Sequence, residues 1–317
     1  MWLSHGRGVD VPCGAMPDLK GQAPREGEHP RARTSPEPIS VTVFACSDTG
    51  RVRPRNEDRF LVTDFATLSQ GDDFSEAKSF TLRERGALLV VCDGLGGGPA
   101  GEVAAELAVD VVAAALADAF AVDDQALPVL IARALERANA EIRARAARHA
   151  GEEGMGTTAT AALLRPGGMF VGHVGDSRCY VVRQGRLVRV TRNQTVAADL
   201  VDLGVMTPEE ASTSNYRNVL RQAVGTSEAL HVAGCRIALR RDDLILVCSD
   251  GLYAVLPRRT LERILVRGAD LRTTGEALMQ AVFEVGAPDN VTLALARVGG
   301  PGLPAPRADE AVSPEPS

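Results

Sequence analysis

Hydrophobic positions along this chain fall into two rhythms. Up to residue 92, and again from 157 to 190, apolar residues come in short runs of strand length; from 101 to 149 they recur every three or four residues. Ile39–Ser47 and Arg59–Asp64 read as strands, Leu68–Glu84 as a polar loop, and Ala87–Cys92 as a strand apolar on both faces. Two long helices follow. Gly101–Phe120 is rich in Ala and Val at near-helical spacing. Asp124–His149 repeats Leu127, Leu130, Ile131, Leu135 and Ile142 on one face, with arginines and glutamates opposite.

Strands then return. Thr157–Leu164 and Met169–Val174 read as a pair, and Arg178–Arg183 with Leu187–Val190 as a hairpin around Gln184-Gly185. In the mixed stretch from Gln194 to Asn215, Thr207-Pro208-Glu209-Glu210 supplies an N-cap, a proline at the first helical position and early acids, so a short helix starts there. Cys235–Leu239 and Leu244–Cys248 read as strands across an Arg-Arg-Asp-Asp turn. Helices around Arg258–Val266 and Thr273–Val285 precede a last strand, Val291–Val298. Helices bunched between groups of strands favour α+β with antiparallel sheets over a doubly wound parallel fold.

Composition sets the limits of this picture. The 317 residues are 45% hydrophobic, enough for a sizeable core. Residues 1–38, rich in Gly, Pro, Arg and Glu, read as a disordered leader within which Met16 is an alternative start; residues 299–317 read as a disordered Pro-rich tail. The span 39–298 is then a single folded domain. A net charge of −6 disfavours nucleic acid as a partner. No apolar run approaches the ~18 residues of a membrane span, and no secretory signal pattern precedes the domain. The cysteines show no zinc spacing, and Cys92, Cys179 and Cys248 sit in apolar runs as buried thiols, which fits a reducing, cytoplasmic location.

The candidate chemistry lies in acid-bearing turns. Ala87–Cys92 delivers Asp93 to Gly94-Leu95-Gly96-Gly97-Gly98, and Pro99 then opens a helix. Taken alone, the stretch also reads as an Asp that caps a helix; its spacing spoils a dinucleotide fingerprint, and no P-loop Lys follows. The pattern recurs, however. Leu244–Ser249 ends in Asp250-Gly251, Gly286-Ala287-Pro288 leads into Asp289-Asn290, Val174-Gly175 leads into Asp176, and Arg53 stands four residues before Glu57-Asp58. Carboxylates from several strand ends suit hard divalent ions, and a pair of such ions can activate water and clamp a phosphate. The histidines (His5, His29, His149, His173 and His231) have no evident catalytic partner.

Six segments in order carry a resemblance: Ser47–Asp58, Cys92–Gly97, Gly156-Thr157-Thr158-Ala159, Val174–Arg178, Ser249–Leu252 and Asp289-Asn290. From about Val41 to Val298 the chain resembles the metal-dependent serine/threonine protein phosphatases of type 2C, bacterial branch. The resemblance implies a four-layer α-β-β-α sandwich of two antiparallel sheets flanked by helix pairs, with a dinuclear site at one edge. It implies two Mn²⁺ or Mg²⁺ ions bridged by Asp93 with the Gly94 carbonyl, Asp250 and Asp289 completing the first site, Glu57 serving the second with Asp58 in support, and Asp176 holding a third, weaker ion. Arg53 matches the phosphate-binding arginine.

The implied reaction is hydrolysis of phosphoserine or phosphothreonine on proteins, by direct attack of a water bridging the two ions. The implied partners are phosphorylated proteins and a cognate Ser/Thr kinase with its substrates, and the implied state is a monomer. The alternative is a catalytically silent phosphatase-like module that binds phosphoproteins. Arg178 is expected in a structural ion pair. Two positions depart from the family pattern. Leu95 and Gly98 stand where many members carry a histidine that protonates the leaving group, and the flap, about Thr195–Tyr216, lacks the usual His-Pro-x-Arg-Asn.

Overall fold

The strands of the sandwich meet in pairs whose two faces are both covered, and this explains their unbroken apolar runs. The structure, a computed structural model, describes residues 37–66, 69–71, 74–97 and 99–316. The first strands are β1 (Ile39–Asp48), β2 (Asp58–Asp64), β3 (Ser69–Gly71), β4 (Phe74–Leu82) and β5 (Ala87–Leu95). Helices α1 (Pro99–Leu116) and α2 (Leu127–Ala146) follow. Next come β6 (Gly156–Thr157), β7 (Ala159–Arg165), β8 (Gly168–Val174), β9 (Arg178–Arg183) and β10 (Arg186–Arg189). Short helices α3 (Val196–Asp202) and α4 (Pro208–Thr213) precede β11 (Ala233–Ile237) and β12 (Leu244–Cys248). The chain closes with α5 (Asp250–Tyr253), α6 (Arg258–Arg267), α7 (Leu271–Glu284), β13 (Val291–Gly299) and β14 (Glu315–Pro316).

One sheet runs β10-β9-β12-β13-β1-β4 and the other β14-β11-β8-β7-β5-β2-β3, with β6 paired to β5. Every pairing in this set is antiparallel. Alternate residues face alternate layers. Leu89 and Val91 of β5 join Val43, Val171, Val247 and Ala294 between the sheets. Leu88, Val90 and Cys92 turn the other way, onto α1 and α2. On the second sheet Phe44, Leu246 and Leu293 pack under α6 and α7. The architecture is the expected α-β-β-α sandwich. Each fully buried Leu or Val in these layers contributes roughly 1.5–3 kcal/mol of transfer free energy.

Several local expectations are corrected. Residues 68–84 are not all loop, because they contain β3 and β4. β4 is an edge strand against β1, and Glu76 and Lys78 on it are exposed, so it shows no apolar run. β5 does not stop at Cys92 but continues through Asp93 to Leu95, and Gly96 and Gly97 make the turn into α1 at positive φ (123° and 72°). β11 and β12 flank the Arg-Arg-Asp-Asp turn as expected, β11 running Ala233–Ile237 rather than Cys235–Leu239, and they lie in opposite sheets, so the turn crosses between them. The β9–β10 hairpin is as expected, with Gln184 and Gly185 both at positive φ. So is α4, where Thr207 and Glu210 form a reciprocal capping box.

The segment after β13 also differs from a loose tail. Leu303 and Val312 are buried, Gln184 Nε2 donates to the Arg307 carbonyl, Arg240 pairs with Glu310, and β14 adds to the edge of β11. Two apolar anchors spaced along a Pro-rich stretch suffice to dock it without periodic structure. The leader expected over residues 1–38 lies, up to residue 36, outside the described residues. No helix among the described residues is long and apolar enough to cross a membrane.

One buried ion pair ties this crossing together. Arg183 on β9 donates to both Asp243 oxygens at 2.9 and 2.7 Å and to the Ala238 carbonyl at 2.7 Å. Asp243 is wholly buried and also accepts from the Arg240 amide. Arg183→Ala leaves that carboxylate buried and unpaired, so a loss of about 3–5 kcal/mol is expected in urea unfolding followed by circular dichroism. A loss within experimental error would show that the pair does not hold the crossing.

Candidate metal and phosphate centre

Strand pairing brings the acids to one end of the sandwich. β2 and β5 pair with Asp58 directly opposite Asp93. Asp93 shares the parity of Leu89 and Val91, and Asp58 that of Phe60 and Val62, so both belong to the layer between the sheets. From the facing sheet, the end of β12 leads into Ser249 and Asp250, and Asp289 stands just before β13. Ser249 Oγ donates to Asp58 Oδ2 at 2.7 Å, closing the gap between the sheets at this end. Asp176 follows β8 and the turn at Gly175.

Close backbone contact places Glu57. A Cβ on Gly94 would fall 2.3 Å from the Gly101 carbonyl oxygen and 2.7 Å from that of Glu57. A Cβ on Gly101 would fall 2.1 Å from Glu57 Oε2. Only glycine at both positions lets α1, β5 and the Glu57 carboxylate share this corner. The Gly94 amide in turn donates to the Glu57 carbonyl.

Asn290 locks the approach loop. Its side chain accepts from the Glu57 amide at 2.8 Å and donates to the carbonyls of Thr49 and Arg55 at 2.9 and 2.8 Å. Its own amide donates to Asp289 Oδ1. Thr158 Oγ1 accepts from the Asp93 amide, and the Thr157 hydroxyl donates to the Asp93 carbonyl. The sequence reads Gly156-Thr157-Thr158 as scaffold rather than chemistry, and gives no separate role to Asn290 or Ser249. The only signal was adjacency to an acid or membership of a motif, and backbone-binding side chains leave no periodic trace.

Burial, and after it charge repulsion, sets the electrostatics of this corner. Burial pushes Asp58 up to about 7, and the Asp250 and Asp289 carboxylates add to the rise against the Ser249 and Thr292 hydrogen bonds. Burial, then Asp250, raises Asp176 to about 7, while Arg178 opposes the rise. Burial and Asp289 raise Asp250 to about 6, with Arg53 pulling the other way. Asp93 is raised well above the ordinary range by burial and by Asp58, Asp250, Asp176 and Asp289 together. Protons or cations relieve such a corner equally well. Among the described residues, no three acid, histidine or cysteine side chains already enclose one point closely enough to hold an ion. The carboxylates are neighbours rather than a closed cage.

The basic groups are divided. Arg53, 56% exposed, lays its fork on Asp289, Nε to Oδ1 and Nη2 to Oδ2 both at 2.8 Å. Among the described residues Arg178 does not make the expected ion pair: its guanidinium stacks 3.4 Å from the centre of the Tyr253 ring and donates to Asn193 and Tyr180. Tyr253 donates its hydroxyl to the Asp176 carbonyl at 2.9 Å. Asp58 is almost fully buried behind the cluster and serves it through Ser249. His173 is buried between Thr160 and the Arg192 carbonyl, and burial lowers it to about 4. Leu95 ends β5 at a position where the family pattern has a histidine in many members.

Residues 68–295 match the family described as protein phosphatase 2C. The serine/threonine protein phosphatase PstP of Mycobacterium tuberculosis is 34% identical over 257 residues, which are 80% of this chain and 44% of that protein. This chain therefore spans less than half the length of that relative. The serine/threonine phosphatase stp of Listeria innocua is 27% identical over 250 residues, 78% of this chain and 92% of that one. Among solved structures, the catalytic domain of PstP in complex with two manganese ions superposes with a TM-score of 0.66 at 30% identity, covering 82% of this chain and 99% of that one. The S. agalactiae serine/threonine phosphatase superposes with a TM-score of 0.71 at 25% identity, covering 81% of this chain and 98% of that one. With a sandwich of this topology and acids gathered at one end of it, the chain belongs to the protein phosphatase 2C family.

Proposed function

We propose that this protein hydrolyses phosphoserine and phosphothreonine in other proteins with the help of divalent ions. The observation that carries the reading is the convergence of Glu57, Asp93, Asp250 and Asp289 from two sheets, with the Arg53 fork already on Asp289. The donor set is all oxygen, its charge is in excess of the nearby cations, and the missing side chains of Gly94 and Gly101 admit the Glu57 carboxylate to this corner. That is the chemistry of Mg²⁺ or Mn²⁺, as in the relative solved with two manganese ions.

Asp93 and the Gly94 carbonyl would be shared by two ions, Asp250 and Asp289 would complete one site, and Glu57 would serve the other. Asp58 supports from behind, and Asp176 would take a third, weaker ion. When bound, the ions supply charge to balance the phosphoryl oxygens and acidify the attacking water. The chain's own residues orient the substrate. Arg53, half-exposed with its fork now on Asp289, offers the same two parallel N–H donors to phosphoryl oxygens in place of that carboxylate. Asn290 and Ser249 hold the carboxylates, keeping the site preorganised. The substrates are phosphorylated proteins, with a Ser/Thr kinase acting in opposition, and the enzyme works as a cytoplasmic monomer.

A phosphothreonine peptide with Mn²⁺, with Mn²⁺ and excess chelator, and with Asp250→Ala decides between hydrolysis and silent binding. Turnover in the first case only, with at least about a hundredfold loss in the others, is expected; binding without metal-dependent turnover would support the silent module. Arg53→Ala should lower kcat/KM by about a hundredfold, and unchanged constants would remove Arg53 from the site.

Stability should also report the cluster. Asp58, Asp176 and Asp250 are raised in the folded state above their unfolded values, so their contribution is fully present below the unfolded carboxylate pKa, about 3.9. It is lost as pH rises through about 6 to 7. In chelator, the urea midpoint should therefore fall between pH 4.5 and 7.5, and Mn²⁺ should restore it at the higher pH. A midpoint that rises over that window in chelator would contradict the assigned repulsion.

A further inference from the structure

Next to the carboxylate cluster lies a groove that this chemistry leaves unused. A cavity of about 510 Å³ opens between β9–β10 and the segment carrying α3 and α4. Its walls carry Arg178, Arg189, Arg192 and Arg217 against one acid, Asp202. A second cavity of about 730 Å³ shares Arg178, Arg189, Pro208 and Tyr253 with the first, and adds Arg258 with no acid. In a protein whose net charge is −6, this is a marked local inversion.

Most of that positive charge is uncompensated. Arg192 is matched by Asp199 and Asp202. Arg178 has a tyrosine face, an asparagine and a tyrosine hydroxyl for partners, but no carboxylate within ion-pair distance among the described residues. Arg189 and Arg217 make no ion pair among the described residues either, and Arg258 is bonded to the Leu187 carbonyl. Burial and then the neighbouring Arg178 charge push Arg189 below the ordinary arginine range, as expected where like charges crowd without a counter-ion.

The groove adjoins the proposed reaction centre through one residue. Tyr253 carries Arg178 on its ring face, donates its hydroxyl to the Asp176 carbonyl, and ends the short helix that Asp250 begins. Three unmatched guanidinium groups suit a dianion with three acceptor oxygens better than a single carboxylate.

We propose that the groove lined by Arg178, Arg189 and Arg217 is a second phosphate subsite, which selects substrates carrying another phosphorylated residue near the one hydrolysed. The proposal rests on the hydrolase reading above. It makes multiply phosphorylated segments the preferred substrate class, and it gives the α3–α4 segment a role in selectivity.

The test uses the Mn²⁺-loaded full chain and a peptide series with one fixed phosphothreonine. A second position, roughly two to five residues away on either side, carries phosphoserine, glutamate or alanine. At one or more spacings, kcat/KM for the doubly phosphorylated peptide should exceed that for the alanine peptide by at least about tenfold, with glutamate between them. Arg189→Ala combined with Arg217→Ala should bring the ratio close to one, and Arg189→Lys with Arg217→Lys should recover part of it. Because the readout is a ratio within each variant, a general loss of activity cancels.

Equal constants across the series for the unaltered protein, or an undiminished ratio in the double alanine variant, would overturn the subsite. If the unaltered protein hydrolyses neither these peptides nor p-nitrophenyl phosphate, the hydrolase reading itself fails. Fluorescence anisotropy then decides the groove: about tenfold weaker binding of the doubly phosphorylated peptide by the double alanine variant supports it, and equal binding overturns it.

Discussion

Repulsion among carboxylates at one end of the sandwich is the constraint that the surrounding structure answers. Asp58, Asp93, Asp176 and Asp250 are all raised by burial and by one another's charge. Buried like charges destabilise a fold unless something fixes and solvates them. Here Ser249 and Thr292 bond Asp58, and the Thr158 hydroxyl accepts from the Asp93 amide. Asn290 holds Glu57 in place through its backbone. The apolar layers on either side of each sheet supply the stability that lets this corner stay unfavourable.

Two sheets are needed for such a corner. Neighbouring strands of one sheet can set two acids opposite each other, as β2 and β5 do with Asp58 and Asp93. Asp250 and Asp289 come from the facing sheet, at the linked ends of β12 and β13. Their short connections leave little slack, because Gly251 packs so closely that a Cβ there would fall 1.8 Å from the Asn290 carbonyl oxygen. Sheet separation and strand twist, rather than sequence distance, set how these acids face one another.

What could be read from the chain follows the same logic. Runs apolar on both faces, such as Leu88–Cys92 and Leu244–Cys248, announce their strands because each side packs on a separate layer. β4 hid because an edge strand shows solvent much of its length, and the tail hid because Leu303 and Val312 anchor it without a period. Recurrent acid turns exposed Asp93, Asp176, Asp250 and Asp289. They did not show that Asp58 is buried behind Ser249, or that Arg178 would find an aromatic face in place of a carboxylate. Those facts depend on parity across a sheet and on which side chains a crossing brings together, and neither is local in sequence.

An acid-rich centre in an acidic protein sets its own problem of approach. A phosphoryl dianion moving toward Glu57, Asp93, Asp250 and Asp289 meets a repulsive field unless cations balance it. On the proposed reading, divalent ions answer this at contact distance, and Arg53 answers it at the rim, where it is exposed and already aligned with Asp289. Both act only once the substrate has arrived. Arg178, Arg189 and Arg217 of the neighbouring groove make no ion pair among the described residues, so they set positive charge beside the acidic cluster. Tyr253 stands between the two, with Arg178 stacked on its face and the Asp176 carbonyl at its hydroxyl. Arg178 is near enough to oppose the rise at Asp176 and Asp250, yet no carboxylate lies within ion-pair distance of it among the described residues, so its charge is shared between the cluster and the groove.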